Sequence, residues 1–230
     1  MPLIHRENIN RGEIGVWNIS ESIDDLYLLA RLSEPDLYSY NEIKAPHRKK
    51  EWLTARILLN ELTGEQTRIA YHNDGRPYAE NSVFNISISH TGIYVAVFLH
   101  SKAIPGIDIE LITRQVGRVA TRFLAPDELS SCLDDKELSN FRLLMHWCAK
   151  EAIFKMIPLT DIEFATDIRI NYDGPTSNTG TFQGAFEFKT GSVPIPLYYR
   201  ILGELLIVWG SIEKTELECH IQSIPTNLVK

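Results

Sequence analysis

The pentapeptide Gly106-Ile107-Asp108-Ile109-Glu110 leaves the chain little choice of local structure. β-Branched residues alternating with carboxylates read as a strand. Successive side chains then leave opposite faces, so Asp108 and Glu110 point one way and Ile107 and Ile109 the other. Two carboxylates held side by side repel, and one takes up a proton unless a cation lies between them. Further along, Trp147-Cys148-Ala149-Lys150-Glu151-Ala152-Ile153-Phe154-Lys155 reads as helix, with Glu151 and Lys155 four residues apart on a shared face. A helix packed beside that strand adds a third carboxylate and an ammonium to the pair. That set suits a divalent metal and phosphoryl chemistry.

The remaining pattern supplies elements to carry these segments. Residues 13–19 read as a strand and Asp24–Leu32 as a short helix. A longer helix begins at Pro46 and ends at Gly64, with Trp52, Ala55, Leu59 and Leu62 at helical spacing. Arg48 falls on the same line, where a charge either snorkels outward or touches a buried anion. His72–Pro77 is a turn cluster, and Val83–Ser89 and Ile93–Leu99 are strands about a Thr91-Gly92 turn. A division near Ala103-Ile104-Pro105 gives halves of residues 1–104 and 105–230.

The second half opens with the carboxylate strand, followed by helical segments at Val116–Phe123 and Pro126–Leu133. Its main helix runs from Ser139, as N-cap, to Ile157, where Pro158 stops it. The stripe Phe141, Leu144, Met145, Cys148, Ala152 and Met156 contains Lys155 and has Glu151 at its edge. A lysine there is costly unless it meets an anion. Strands are expected at Ile168–Tyr172, Thr181–Phe188, Tyr198–Leu202, Leu205–Ser211 and Glu216–Ile224. Each half therefore mixes helices with antiparallel strands, an α+β arrangement.

Charge and composition narrow the function classes. A net charge of −7 argues against a general nucleic-acid binder. Positive charge is nonetheless gathered at Lys44, Arg48, Lys49, Lys50 and Arg56, opposed only by Glu51, a patch suited to a compact polyanion. No apolar run approaches the roughly 20 residues of a membrane span. The three cysteines fit no metal-ligand spacing, and the start lacks a signal-peptide core, so a reduced, cytoplasmic protein is expected.

Taken together, the segments resemble the 4′-phosphopantetheinyl transferases of the surfactin-synthetase-activating (Sfp) type. The residues carrying the resemblance are Gly75-Arg76-Pro77, Ser89-His90, Gly106-Ile107-Asp108-Ile109-Glu110 and Lys150-Glu151-Ala152-Ile153-Phe154-Lys155, in that order. Phe84-Asn85 and Trp52-Leu53-Thr54-Ala55-Arg56 add to it, and the likeness spans about Lys44 to Asp167. Arginine stands where lysine is commoner in the Gly-x-Pro turn.

The resemblance implies two similar α+β halves related by a pseudo-twofold axis, with coenzyme A in the cleft between them. It implies transfer of 4′-phosphopantetheine from coenzyme A to a serine of an apo acyl- or peptidyl-carrier protein, releasing 3′,5′-ADP. Such carriers serve fatty acid, polyketide or nonribosomal peptide synthesis. Asp108, Glu110 and Glu151 are then the expected Mg²⁺ ligands, with Glu151 also taking the serine proton, directly or through a bound water. Lys155 is expected on the pyrophosphate, aiding departure of 3′,5′-ADP. His90, with Ser89 beside it, is expected on a coenzyme A phosphate, Arg76 at the adenine nucleotide end, and Arg48 and Arg56 on the 3′-phosphate. Two halves in one chain would complete such a site in a monomer. The same carboxylates would also serve a metal-dependent pyrophosphohydrolase, and a non-catalytic coenzyme A or carrier binder is a third reading.

Overall fold

The computed structural model describes residues 2–189 and 191–221. It is an α+β protein in two compact units, Met1–Lys102 and Ala103–Lys230. No described helix is long and apolar enough to cross a membrane.

The first unit pairs strands β1 (Leu3–Ile9), β2 (Gly12–Asn18), β5 (Asn85–Thr91) and β6 (Tyr94–His100) into an antiparallel sheet of order β1-β2-β6-β5. Helices α1 (Ile23–Ala30), α2 (Glu34–Glu42) and α3 (Pro46–Thr63) lie between β2 and the small hairpin of β3 (Ile69–Tyr71) and β4 (Pro77–Ala79). Proline opens α3, and Gly64 closes it in the left-handed conformation at φ 73°, as the residue pattern led us to expect. Leu53, Leu58, Leu59 and Leu62 pack against Val95, Val97 and Leu99 of β6. Strand β1 and helix α2 go beyond the elements expected from the sequence.

The second unit wraps a five-stranded antiparallel sheet around one long helix. Its order is β7 (Ile104–Leu111), β11 (Leu205–Ile212), β10 (Gly191–Leu202), β9 (Thr179–Phe188), β8 (Ile168–Asn171). The helix is α6 (Ser139–Met156), preceded by α4 (Ala120–Phe123) and α5 (Pro126–Leu133) and followed by the single turn α7 (Phe164–Asp167). The N-cap of α6 is Leu138 rather than Ser139; the Ser139 hydroxyl donates back to the Lys136 carbonyl at 3.0 Å. Burial extends well past the expected stripe, taking in Leu143, His146, Ala149, Lys150 and Ile153. Residues 214–221 form a helix, α8, rather than a strand, and residues 222–224 of that expected strand lie outside the described residues.

Two features fix where α6 sits. Gly106 is the first: a Cβ there would lie 2.0 Å from the Ala152 carbonyl oxygen and 2.7 Å from the Met156 methyl, so only glycine lets the helix come this close to β7. The second is a buried ion pair. Lys150, with no exposed surface, donates to Glu128 of α5 at 2.7 Å and to the carbonyls of Phe164 and Ile168 at 2.8 and 2.6 Å. Glu128 in turn accepts from the Ile170 and Ala125 amides at 2.8 and 2.9 Å. Every polar atom of the pair thus has a partner in the low-dielectric interior.

Candidate active site

Asp108 and Glu110 share the face of β7 that carries Gly106, which is the face toward α6. Both are buried, each 5% exposed. Lys155, in the last turn of α6, donates to the Asp108 carboxylate at 2.7 Å and to the Ile107 carbonyl at 2.8 Å. The ammonium on the apolar side of the helix therefore meets an anion, as its position on the wheel requires. It is paired with Asp108 across the helix–strand boundary rather than with its helix neighbour Glu151 alone.

Glu151 completes the group electrostatically. Its carboxyl pKa is raised, first by burial and then by the negative charge of Asp108, while Lys155 and Arg114 pull it back down. The buried Cys148 thiol, one turn earlier, is pushed well up by burial and by its hydrogen bond and charge interaction with Asp108. Arg114, in the loop after β7, forms an ion pair with Glu110. Strand alternation put Asp108 with Glu110 and helical spacing put Glu151 with Lys155; the structure adds the Lys155–Asp108 contact between the two elements. Cys148 had been read only as core, and Arg114 falls in no periodic pattern.

The donor chemistry of Asp108, Glu110 and Glu151 is all carboxylate oxygen, which fits a hard divalent cation such as Mg²⁺. Among the described residues, no three His, Cys, Asp or Glu side chains are drawn together into a metal-holding cluster. Instead, Lys155 and Arg114 supply the positive charge that Asp108 and Glu110 need. The donors suit the ion.

In the first unit, Arg48 and His90 form a second charged group. Arg48 donates to Nε2 of His90 at 2.8 Å and to Glu51 at 2.9 Å, and Nδ1 of His90 lies 3.6 Å from the other Glu51 oxygen. Accepting at Nε2 leaves the imidazole proton on Nδ1, toward Glu51. Glu51, one turn after Arg48 on α3, had appeared in the sequence only as an opposing charge in a basic stretch. Ser89 is buried and, as the neighbour of His90 in β5, leaves the opposite face of the strand. Its side chain therefore does not stand beside His90 as expected.

The two remaining arginines separate. Arg76 lies in the turn between β3 and β4, where its guanidinium and backbone amide bind Asp74 at 2.7 to 3.0 Å and hold that carboxyl below its ordinary pKa. Arg56 is a correction to the sequence reading. It is 3% exposed, donates to Asp36 at 3.1 and 3.2 Å and to the carbonyls of Trp52 and Ile69, and stacks on the Trp52 ring. Its fork is committed to tying α2, α3 and β3 together rather than to a phosphate.

A search of curated proteins returns no match. Residues 105–192 match the family model described as the 4′-phosphopantetheinyl transferase superfamily. The matched stretch contains Asp108, Glu110, Glu151 and Lys155, and it supports that superfamily, with phosphopantetheine transfer as its general chemistry.

Proposed function

We propose that this protein is an Sfp-type 4′-phosphopantetheinyl transferase that moves 4′-phosphopantetheine from coenzyme A to a serine of an apo acyl- or peptidyl-carrier protein. The observation that carries this reading is the Lys155–Asp108 pair, which joins the strand carboxylates to the helix bearing Glu151 within the family-matched stretch. Phosphoryl transfer asks a protein for positioning and charge neutralisation more than for covalent chemistry. Acidic donors and an ammonium on adjoining rigid elements meet that demand.

In the proposed reaction the serine Oγ attacks the pantetheine-bearing phosphorus of the pyrophosphate. The bond from that phosphorus to the bridging oxygen breaks, and 3′,5′-ADP departs with the bond electrons. Glu151 takes the serine proton, directly or through a bound water. Lys155 neutralises the charge gathering on the 5′-phosphate of the departing 3′,5′-ADP. Asp108, Glu110 and Glu151 would hold Mg²⁺, which supplies charge neutralisation at the pyrophosphate. We assign Arg48, His90 and Arg76 to the phosphates of coenzyme A, with Glu51 as the anion that Arg48 and His90 keep until a phosphate replaces it.

The test is direct. The protein is incubated with Mg²⁺, coenzyme A and a panel of apo carriers, and each carrier is weighed by mass spectrometry. A phosphopantetheine increment that vanishes when the divalent ion is chelated is the expected result. Hydrolysis of coenzyme A without any carrier modification would overturn the transferase assignment in favour of a pyrophosphohydrolase.

A further inference from the structure

Arg114 lies outside every motif that the sequence singles out, yet it is tied to the carboxylate group on several sides. Its guanidinium pairs with Glu110 and stands over the Trp147 indole, 5.4 Å from the ring centroid. Its charge also reaches Glu151 and Cys148. The Arg114 backbone is anchored: its amide donates to the Leu111 carbonyl at 2.9 Å, and its carbonyl accepts from the Asn140 side chain at 3.3 Å. The arm itself is 45% exposed, whereas the Glu110 side chain beneath it is 6% exposed. A change of rotamer releases such an arm without moving the backbone.

We infer that Arg114 is a resident counter-cation that holds Glu110 until a diphosphate draws the guanidinium away, and that it thereby couples metal binding to coenzyme A binding. This rests on the transferase reading above. A guanidinium fork and a divalent cation compete for the same carboxylate oxygens, and a pyrophosphate offers the fork equivalent acceptors. When metal and diphosphate arrive together, Glu110 exchanges one cation for another and the guanidinium one anion for another, so the two bindings favour each other. Lys155 holds Asp108 in a similar way. Its ammonium is also bound to the Ile107 carbonyl and its side chain is only 24% exposed, so it is the less readily released of the two cations.

The experiment measures Mn²⁺ binding by the loss of the free-ion paramagnetic resonance signal, with and without coenzyme A. Wild type, Arg114→Gln and Arg114→Lys are compared. Without coenzyme A, Arg114→Gln should bind Mn²⁺ about tenfold tighter than wild type, because a competing positive charge is gone. Arg114→Lys, which keeps that charge, should stay near wild type. The enhancement of Mn²⁺ affinity by coenzyme A should shrink in Arg114→Gln by a similar factor. Equal Mn²⁺ affinity in wild type and Arg114→Gln, or an undiminished enhancement, would overturn this role while leaving the transferase reading standing. A wild-type protein that takes up no Mn²⁺ under either condition would bring down the metal assignment itself, and the inference with it.

Discussion

The Lys155 ammonium sits 2.7 Å from the Asp108 carboxylate and 2.8 Å from the Ile107 carbonyl, so a single side chain fastens the end of α6 to both the backbone and the acidic face of β7. Structure and proposed chemistry are joined at this contact. The group that would neutralise the departing 3′,5′-ADP is also the group that compensates a buried acid.

Lys155→Ala should therefore lower kcat by about 100-fold, the scale seen when one preorganised charge-stabilising donor is removed. KM for coenzyme A should change far less. Steady-state kinetics at saturating coenzyme A separates the two effects. An unchanged kcat would show that the ammonium is only a structural clasp.

Asp108→Ala should abolish transfer, by at least ~100-fold, on the same scale. The fold should survive, because the remaining Lys155 is 24% exposed and can turn to water. Mass analysis of the carrier and a circular-dichroism melt of the variant test both halves of the statement. A folded variant with normal transfer would remove Asp108 from the reaction.

Lys150 and Glu128 form a pair of a different kind, with side chains only 0% and 3% exposed. Removing one partner leaves a buried charge uncompensated, so Lys150→Met should cost about 3–5 kcal/mol of stability. The double variant Lys150→Met/Glu128→Leu should be less destabilised than the single one. Urea unfolding midpoints of the three proteins give the comparison.

His146 carries the clearest pH signal outside the candidate site. It is 2% exposed, donates to the Arg142 carbonyl at 2.9 Å, and has a pKa lowered from 6.5 chiefly by burial. A depressed folded-state pKa means that the unfolded chain takes up this proton first. Its contribution to stability is thus complete above pH 6.5 and is lost as pH falls through the folded value. His146→Gln should flatten the decline in stability below that point, as read from unfolding midpoints across pH. Parallel curves for the two proteins would exclude the histidine as the source.

Much of this arrangement could be read from residue order. Alternation exposed β7, and Pro46, Gly64 and Pro158 marked the ends of α3 and α6. What escaped has identifiable physical causes. Strand β1, Leu-Ile-His-Arg-Glu-Asn-Ile, is half-exposed along its length and too polar to stand out. Helix α2, Glu-Pro-Asp-Leu-Tyr-Ser-Tyr-Asn-Glu, buries only Asp36 and Tyr40 and so lacks an apolar stripe. Missing α2 had a consequence for function. Without Asp36 in view, Arg56 looked like a free guanidinium awaiting a phosphate, when its partner had simply not been seen. Arg114 belongs to no repeat, and its importance emerges only when the chain after β7 brings it back to Glu110.

Lys150 donates to Ile168 of β8, and Lys155 donates to Ile107 of β7, so one rod fastens both margins of the five-stranded sheet. Such a sheet cannot peel from one border while the other stays shut without first breaking a bond to the same helix. The acids on β7 therefore inherit the rigidity of the whole unit rather than that of a fraying margin. The slowest amide exchange in this half of the molecule should accordingly be shared by its first strand, its long helix and the short strand at the far border.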